Sequence, residues 1–399
     1  MRSFFSGIVA LLTLGCAPLG GPGTQLPLAG LRPAAEQSAP TSLLWFKNIR
    51  NVQAHSDDQK TDRQVELGQP AYLKGEGVLW AGTAQGALKK LSIAGGQLLS
   101  KVDVGGVRSR IAHDGKLLYM GADDGRLIAV DAYNGEKVWS YKVRGVVSSA
   151  PTLGKKHVLV TDGTNAIYCL SKSGKWVWQY RREKPRHFAS HGESRPLIHR
   201  GVVYQGFSDG YVVALRLDDG SLIWSANLGK EAGDRLDVDA GLVPGVPNLI
   251  YAASLGGGLY ALQAATGKQK WRMKIKGITG LSGHDGDLLA ATSDGRILRI
   301  DTFKRRIRWE TALPTKKGAL FEPTVVFEKY LVVGQSQGAM YWLTVGTGQP
   351  VRRFDPGAGF STRPTFANDT LYALDNAGTL FAFGSSGYFK DQRATPLAD

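Results

Sequence analysis

Three carboxylates crowd the stretch Asp-Arg-Leu-Asp-Val-Asp at residues 234–239. Asp237 and Asp239 alternate, so on an extended chain both project to the same side and form a doubled acidic site. Such a site could bind a partner's guanidinium bidentately. It could also offer the oxygens of Asp234, Asp237 and Asp239 to a calcium ion, although the compact ligand–glycine arrangement of a calcium loop is missing. A plain solvated turn is the remaining reading. Elsewhere reactive residues are dispersed. The seven histidines, at 55, 113, 157, 187, 191, 199 and 284, show none of the paired spacing of a metal motif. Two cysteines, Cys16 and Cys169, exclude a disulfide framework and a cysteine-rich zinc site. No serine elbow, P-loop or dinucleotide fingerprint is present, and Leu-Gly-Gly-Gly at 255–258 reads as a hairpin turn. No catalytic residue, metal or cofactor is expected.

The elements that must carry these residues are written in a repeat. Gly125, Gly135 and Trp139 mark one unit, with the second glycine ten residues after the first and the tryptophan fourteen after it. Gly210, Gly220 and Trp224 repeat the spacing, as do Gly257, Gly267 and Trp271. Gly295 and Trp309 keep it with Arg305 at the middle position, and Gly174 with Trp178 keeps it one residue short. Weaker copies surround Gly86 with Gly96 and Gly338 with Gly348, and a half copy begins at Gly378. Proline enters an apolar run upstream of many copies, at Pro70, Pro151, Pro196, Pro323 and Pro364, as suits the start of a strand. Each unit of about 40 residues thus reads as four short strands, the signature of a propeller. The fold class is all-β: an eight-bladed β-propeller of four-stranded antiparallel blades over residues 42–384. The half copy supplies three strands, near 361–367, 370–375 and 379–384. The segment around Trp45 is expected to add the fourth, an N-terminal strand closing the last blade and removing its open edge. Six of the nine tryptophans then occupy equivalent places, a packing role, and Cys169 stands where sister segments carry alanine and reads as core.

The first residues have the layout of an export signal. Arg2 precedes an apolar stretch from Phe4 to Leu14, and Gly15 stands before Cys16. This arrangement resembles the lipobox of bacterial lipoproteins, with Thr13 where leucine is usual. The resemblance implies a signal peptide over 1–15 and lipidation of Cys16, followed by a flexible Pro/Gly/Ala tether over 16–41. Ala17 after the cysteine suits sorting to the outer membrane. A simple secretory signal cleaved nearby is the alternative. The formal charge of +15 would suggest nucleic acid in a cytoplasmic chain. In an exported one it suits lipid head groups, lipopolysaccharide phosphates or an acidic protein face. Two basic runs, 181–187 and 304–308, read as solvated loops, and the tail over 385–399 carries no functional signal.

The glycine–tryptophan ruler resembles the PQQ-like propeller repeat named for quinoprotein dehydrogenases. Chain length, Cys16, eight blades without extra domains and two local stretches together resemble the BamB family, lipoprotein subunits of the outer-membrane β-barrel assembly machinery. His-Gly-Glu-Ser-Arg-Pro at 191–196 is similar to that family's segment between blades three and four, and Asp-Arg-Leu-Asp-Val-Asp at 234–239 to its segment before blade five. The resemblance implies that His191, Gly192, Glu193, Leu236, Asp237 and Asp239 contact a BamA-like barrel subunit. His191 departs from the family's usual arginine, and Phe188 and Ser190 replace its flanking leucines. It further implies a non-catalytic periplasmic scaffold, lipid-anchored to the cell outer membrane, that aids folding and insertion of outer-membrane proteins and meets client strands at its blade edges. Neither nucleic acid nor a cofactor is implied. A PQQ-dependent dehydrogenase-like propeller and another secreted ligand-binding propeller are the rival readings. The adjacent cysteine pair, long insertions and carboxylate-rich calcium site of the former are not evident, nor is a loop-face aromatic cluster for the latter.

Overall fold

Alternating short apolar runs separated by glycine turns form strands and little else. The computed structural model describes residues 41–50, 68–107, 109–147, 149–183, 194–229, 237–238, 240–314 and 323–385. Among these residues are 32 strands in eight four-stranded antiparallel sheets. The chain opens with β1 (Thr41–Asn48). Blade 1 follows with β2 (Ala71–Leu73), β3 (Val78–Gly82), β4 (Ala87–Ser92) and β5 (Leu98–Asp103). Blades 2 to 7 repeat this plan as β6–β9 (112–142), β10–β13 (152–181), β14–β17 (197–227), β18–β21 (243–273), β22–β25 (278–312) and β26–β29 (324–354). Blade 8 contains β30 (Thr365–Ala367), β31 (Thr370–Leu374) and β32 (Thr379–Ser385), and β1 completes it.

The expected closure is realised: Trp45 pairs with Ala382 and Lys47 with Leu380. Ring closure is also visible in the core. Eight apolar clusters each join one blade to the next. The last of them sets Leu374, Leu380 and Ala382 of blade 8 against Leu79, Ala81 and Leu91 of blade 1.

The ruler has a physical cause at these junctions. Trp139, Trp178, Trp224, Trp309 and Trp45 each donate the indole N–H to a carbonyl of the following blade, at Lys172, Leu217, Ala264, Val345 and Ile93, over 2.8–2.9 Å. The same rings lie on the middle glycine of that next blade. A Cβ on Gly174, Gly220, Gly267, Gly348 or Gly96 would come within 2.3–2.8 Å of the ring. Glycine is therefore demanded twice, by contact and by a left-handed backbone. Arg305, which replaces it in blade 6, keeps the conformation with φ of 53°.

In blades 3 and 6 the tryptophan faces Cys169 or Arg299 and then a leucine across the sheet; in four other blades it faces alanine and then a tyrosine. The row Tyr–Ala–Trp recurs in blades 2, 4, 5 and 8, with Tyr–Trp centroids 5.6–6.0 Å apart. Blade 1 redistributes the volume: its row reads Trp80, Lys90, Ser100, and Trp80 makes the interblade hydrogen bond to Ala132. In blade 7 Trp342 sits on the third strand and Arg352 covers its ring from the fourth. Every outer strand carries a register shift just before this row. Such bulges twist the outer edge and interrupt its ladder.

The prolines act at the inner strands. Pro70, Pro196 and Pro323 immediately precede β2, β14 and β26, and their carbonyls accept hydrogen bonds from Thr365, Thr152 and Ser282 of the preceding blade. Cys169 is fully buried, as expected of a core residue. Because every blade runs in the same sense, the ring has two distinct ends. The turns between first and second strands and between third and fourth strands gather at one, here the hairpin end. The turns between second and third strands, together with the interblade connections, gather at the other, the connection end.

Candidate protein-docking site

The two stretches singled out in the sequence are both interblade connections, so topology places them at the connection end. One runs from β13, which ends at Arg181, to β14, which starts at Leu197; the other runs from β17, ending at Asn227, to β18, starting at Val243. They flank blade 4 on either side. His191, Gly192, Glu193, Leu236 and Asp239 lie outside the described residues, as does Cys16. Asp237 is described, and so are the roots of both connections.

The first connection leaves blade 3 under firm control. The backbone N–H of Arg182 donates to Asn165 (3.0 Å), its Nε donates to Asp209 Oδ2 (2.6 Å), and its guanidinium lies 3.9 Å from the centre of the Tyr211 ring. Burial works against this charge, but the Asp209 carboxylate and Tyr180 together outweigh it and hold the guanidinium above its ordinary pKa. Asn165, left-handed at φ 59°, accepts from the Ser208 hydroxyl (2.9 Å) and donates to the Glu183 carbonyl (3.3 Å). The connection re-enters the ring at Ser194, which is 1 % exposed. Gln205 Nε2 donates to the Ser194 carbonyl (2.7 Å). Ser194 Oγ and Gln205 Oε1 remain buried oxygens without a donor, a polar junction in an otherwise apolar wall.

The second connection re-enters at Asp237 and Val238, which are 4 % and 0 % exposed. The Asp237 carbonyl accepts from Leu255 N–H of blade 5 (3.0 Å), and Val238 N–H donates to the Phe207 carbonyl of blade 4 (3.3 Å). Gly206 permits the approach, since a Cβ there would meet the Val238 carbonyl at 2.5 Å. Asp239, the other carboxylate of the expected pair, lies outside the described residues, and Asp237 itself is buried. At Asp237 the carboxylate belongs to the loop's root.

The sequence reading missed Arg182, Asp209, Tyr211 and Gln205. The basic run over 181–187 was the available signal, read there as solvated; a charge run does not show which member reaches an aromatic ring of the next blade. Among the described residues there is no group of three or more His, Cys, Asp or Glu side chains able to hold a metal ion. What the described residues of this end offer is a set of buried, hydrogen-bonded positions on either side of blade 4.

Comparison with known proteins agrees with this architecture. A solved structure of BamB from Moraxella catarrhalis superimposes with a TM-score of 0.71 at 21 % identity, covering 86 % of this chain and 99 % of that one. A quinohemoprotein alcohol dehydrogenase from Pseudomonas putida HK5 superimposes with a TM-score of 0.66 at 14 % identity, over 90 % of this chain and 78 % of that one. At such identities both likenesses concern the fold alone. Among curated proteins, the outer membrane protein assembly factor BamB of Yersinia pestis is 27 % identical over 286 residues, 70 % of this chain and 71 % of that protein. That of Escherichia coli K12 is 24 % identical over 273 residues, 66 % of this chain and 68 % of its own. The family model for outer membrane protein assembly factor BamB matches residues 84–311, more than half of the chain, and the chain belongs to that family.

Proposed function

We propose that this chain is a non-catalytic scaffold lipoprotein of outer-membrane β-barrel assembly, anchored through Cys16 at the periplasmic face of the cell outer membrane. Its partner is a BamA-like subunit, gripped by residues 186–194 and 234–239. One observation carries the reading: the roots of both segments, at Arg182, Ser194 and Asp237–Val238, are pinned to neighbouring blades by hydrogen bonds and burial. A rigid root lowers the entropy lost when a loop engages a partner. His191, Gly192, Glu193, Leu236 and Asp239 are the contacts assigned to the partner. Asp237 contributes by holding the second segment in place. Relatives named assembly factors support a non-enzymatic role, whereas the dehydrogenase likeness concerns the fold. Client strands pairing at a blade edge would be confined to the part of the outer strand beyond its bulge.

The test is co-purification of the barrel subunit with Glu193→Arg combined with Asp239→Arg. The charge reversals should abolish capture while the denaturation midpoint stays at the wild-type value. Normal capture by this double variant would refute the assigned surface. Asp237→Arg is a poor probe, because a cation forced into a 4 % exposed site destabilises the ring itself.

A further inference from the structure

The three most exposed large apolar side chains among the described residues are Phe303 (90 %), Val246 (80 %) and Tyr133 (74 %). All three occupy turns at the hairpin end of the ring, opposite the partner-binding connections. Trp176 (56 % exposed), the first residue of β13 (Trp176–Arg181), lies at the same end. Two of these aromatics stand beside exposed cations. Phe303 is followed by Lys304 and Arg305 in one turn, whose backbone N–H groups at Phe303 and Lys304 are fixed by the Asp301 carboxylate at 3.1 and 2.8 Å. Trp176 follows Lys175, and the neighbouring turn of the same blade carries Lys155 and Lys156. A fixed turn that holds an aromatic ring in water beside exposed cations is poor packing but suits the boundary of an anionic bilayer. There, rings settle at headgroup level while lysine and arginine meet phosphates.

A second observation comes from the chain path. Strand β1 runs from Thr41, opposite Ser385, to Asn48, opposite Thr379. Thr379 begins a third strand and lies at the connection end, so Thr41 lies at the hairpin end. The described chain therefore begins, at Thr41, on the side that displays Phe303 and Trp176. We propose that the hairpin end is a membrane-facing surface, which docks on an anionic phospholipid bilayer through the Phe303–Lys304–Arg305 turn of blade 6 and the Lys175–Trp176 corner of blade 3. With these two contacts three blades apart on the bilayer, the connection end, which carries the roots at Arg182, Ser194 and Asp237, faces away from it. The orientation argument rests on the tether of the proposed function; the surface chemistry does not.

The test uses the full chain carrying Cys16→Ser, so that lipidation plays no part, with an environment-sensitive dye at Phe303→Cys. A second sample carries the dye at Gln337→Cys, an exposed turn residue of the connection end. Vesicles contain nitroxide-labelled lipid, with or without 30 mol % phosphatidylglycerol. The dye at 303 should be quenched on the anionic vesicles and spared on neutral ones, and the dye at 337 spared on both. Adding Lys304→Gln with Arg305→Gly removes two cations, at roughly fivefold in binding for each. Half-maximal quenching should then need about 25-fold more anionic lipid. Arg305→Gly restores the glycine usual at this left-handed position, so a weaker signal cannot be blamed on misfolding. Equal quenching of the two dyes, quenching indifferent to phosphatidylglycerol or to the charge removal, or none at position 303 would overturn the proposal. Loss of barrel-subunit capture in the Glu193/Asp239 variant reads the other end of the ring, so the two ideas fail separately.

Discussion

The claim that each tryptophan keys into a glycine of the next blade can be tested by adding one methyl group. Gly220 has φ of 72°, and a Cβ there would lie 2.6 Å from Trp178 Cδ2, 2.7 Å from Cε3 and 2.9 Å from Cγ. The ring cannot retreat easily: it is 4 % exposed, packs with Leu159, Val213 and Leu215, and donates its N–H to the Leu217 carbonyl. Gly286 shares the backbone conformation, with φ of 79°, but a Cβ there meets nothing within 4 Å. Gly286→Ala therefore isolates the left-handed strain, about 1 kcal/mol once the entropy lost from the unfolded chain is set against it. Gly220→Ala adds overpacking of about 2 kcal/mol, for a total of about 3 kcal/mol. Urea denaturation followed by far-ultraviolet circular dichroism measures both. A double-mutant cycle completes the argument: in a Trp178→Leu background, Gly220→Ala should fall to the cost of Gly286→Ala, a coupling of about 2 kcal/mol. Equal costs for the two glycine variants in the wild-type chain, or a cycle without coupling, would refute the keyed junction.

Two further outcomes follow from charge and burial. At the junction of blades 2 and 3, burial works against the Asp114 carboxylate, but hydrogen bonds from Lys172, the Leu117 and Lys116 N–H groups and Tyr119 outweigh it and hold its pKa at about 2. A depressed carboxylate stabilises the fold above its unfolded value and ceases to do so as pH falls through the folded one. Asp114→Asn should thus lower stability by on the order of 1 kcal/mol at pH 7, after solvent screening, and the gap should close between pH 4 and pH 2 in paired denaturation curves. Burial, with Asp218 nearby, pushes the Cys169 thiol up to about 12. At pH 8 Cys169 should resist a maleimide reagent in the native chain and react promptly in denaturant; fast native labelling at this residue would contradict its place in the core.

What the sequence disclosed, and what it hid, divides along a physical line. Spacing between Gly125, Gly135 and Trp139 is covalent, so blade count and the closing role of Trp45 could be read directly. The partners of these residues lie in the next blade, and nothing local reveals them. Tyr119, Tyr204, Tyr251 and Tyr372 complete the aromatic rows, yet each sits in an unremarkable apolar run. Trp80 and Trp342 do not follow the ruler. They are substitutes that supply ring volume where the fourth strand offers only Ser100 or Arg352. Bulges escaped notice because inserting one residue before every tryptophan preserves the period that the eye counts.

The same distinction governs the candidate site. Alternation of Asp237 and Asp239 is a local pattern, and it suggested two carboxylates presented together. Burial of Asp237 is a property of the junction between blades 4 and 5, where the chain must pass under Gly206 to begin the next inner strand. Any interblade connection faces this demand: its last residues must be buried to start a strand near the axis, whatever its middle does. Side chains within the buried root of such a loop are therefore poor candidates for direct contact, and those outside it are better ones. On that ground Glu193 and His191, which both precede the buried Ser194, should each tolerate charge reversal without a change in denaturation midpoint while lowering partner capture. Measuring Glu193→Arg and His191→Glu for both folding and partner capture would separate root from contact within a single connection.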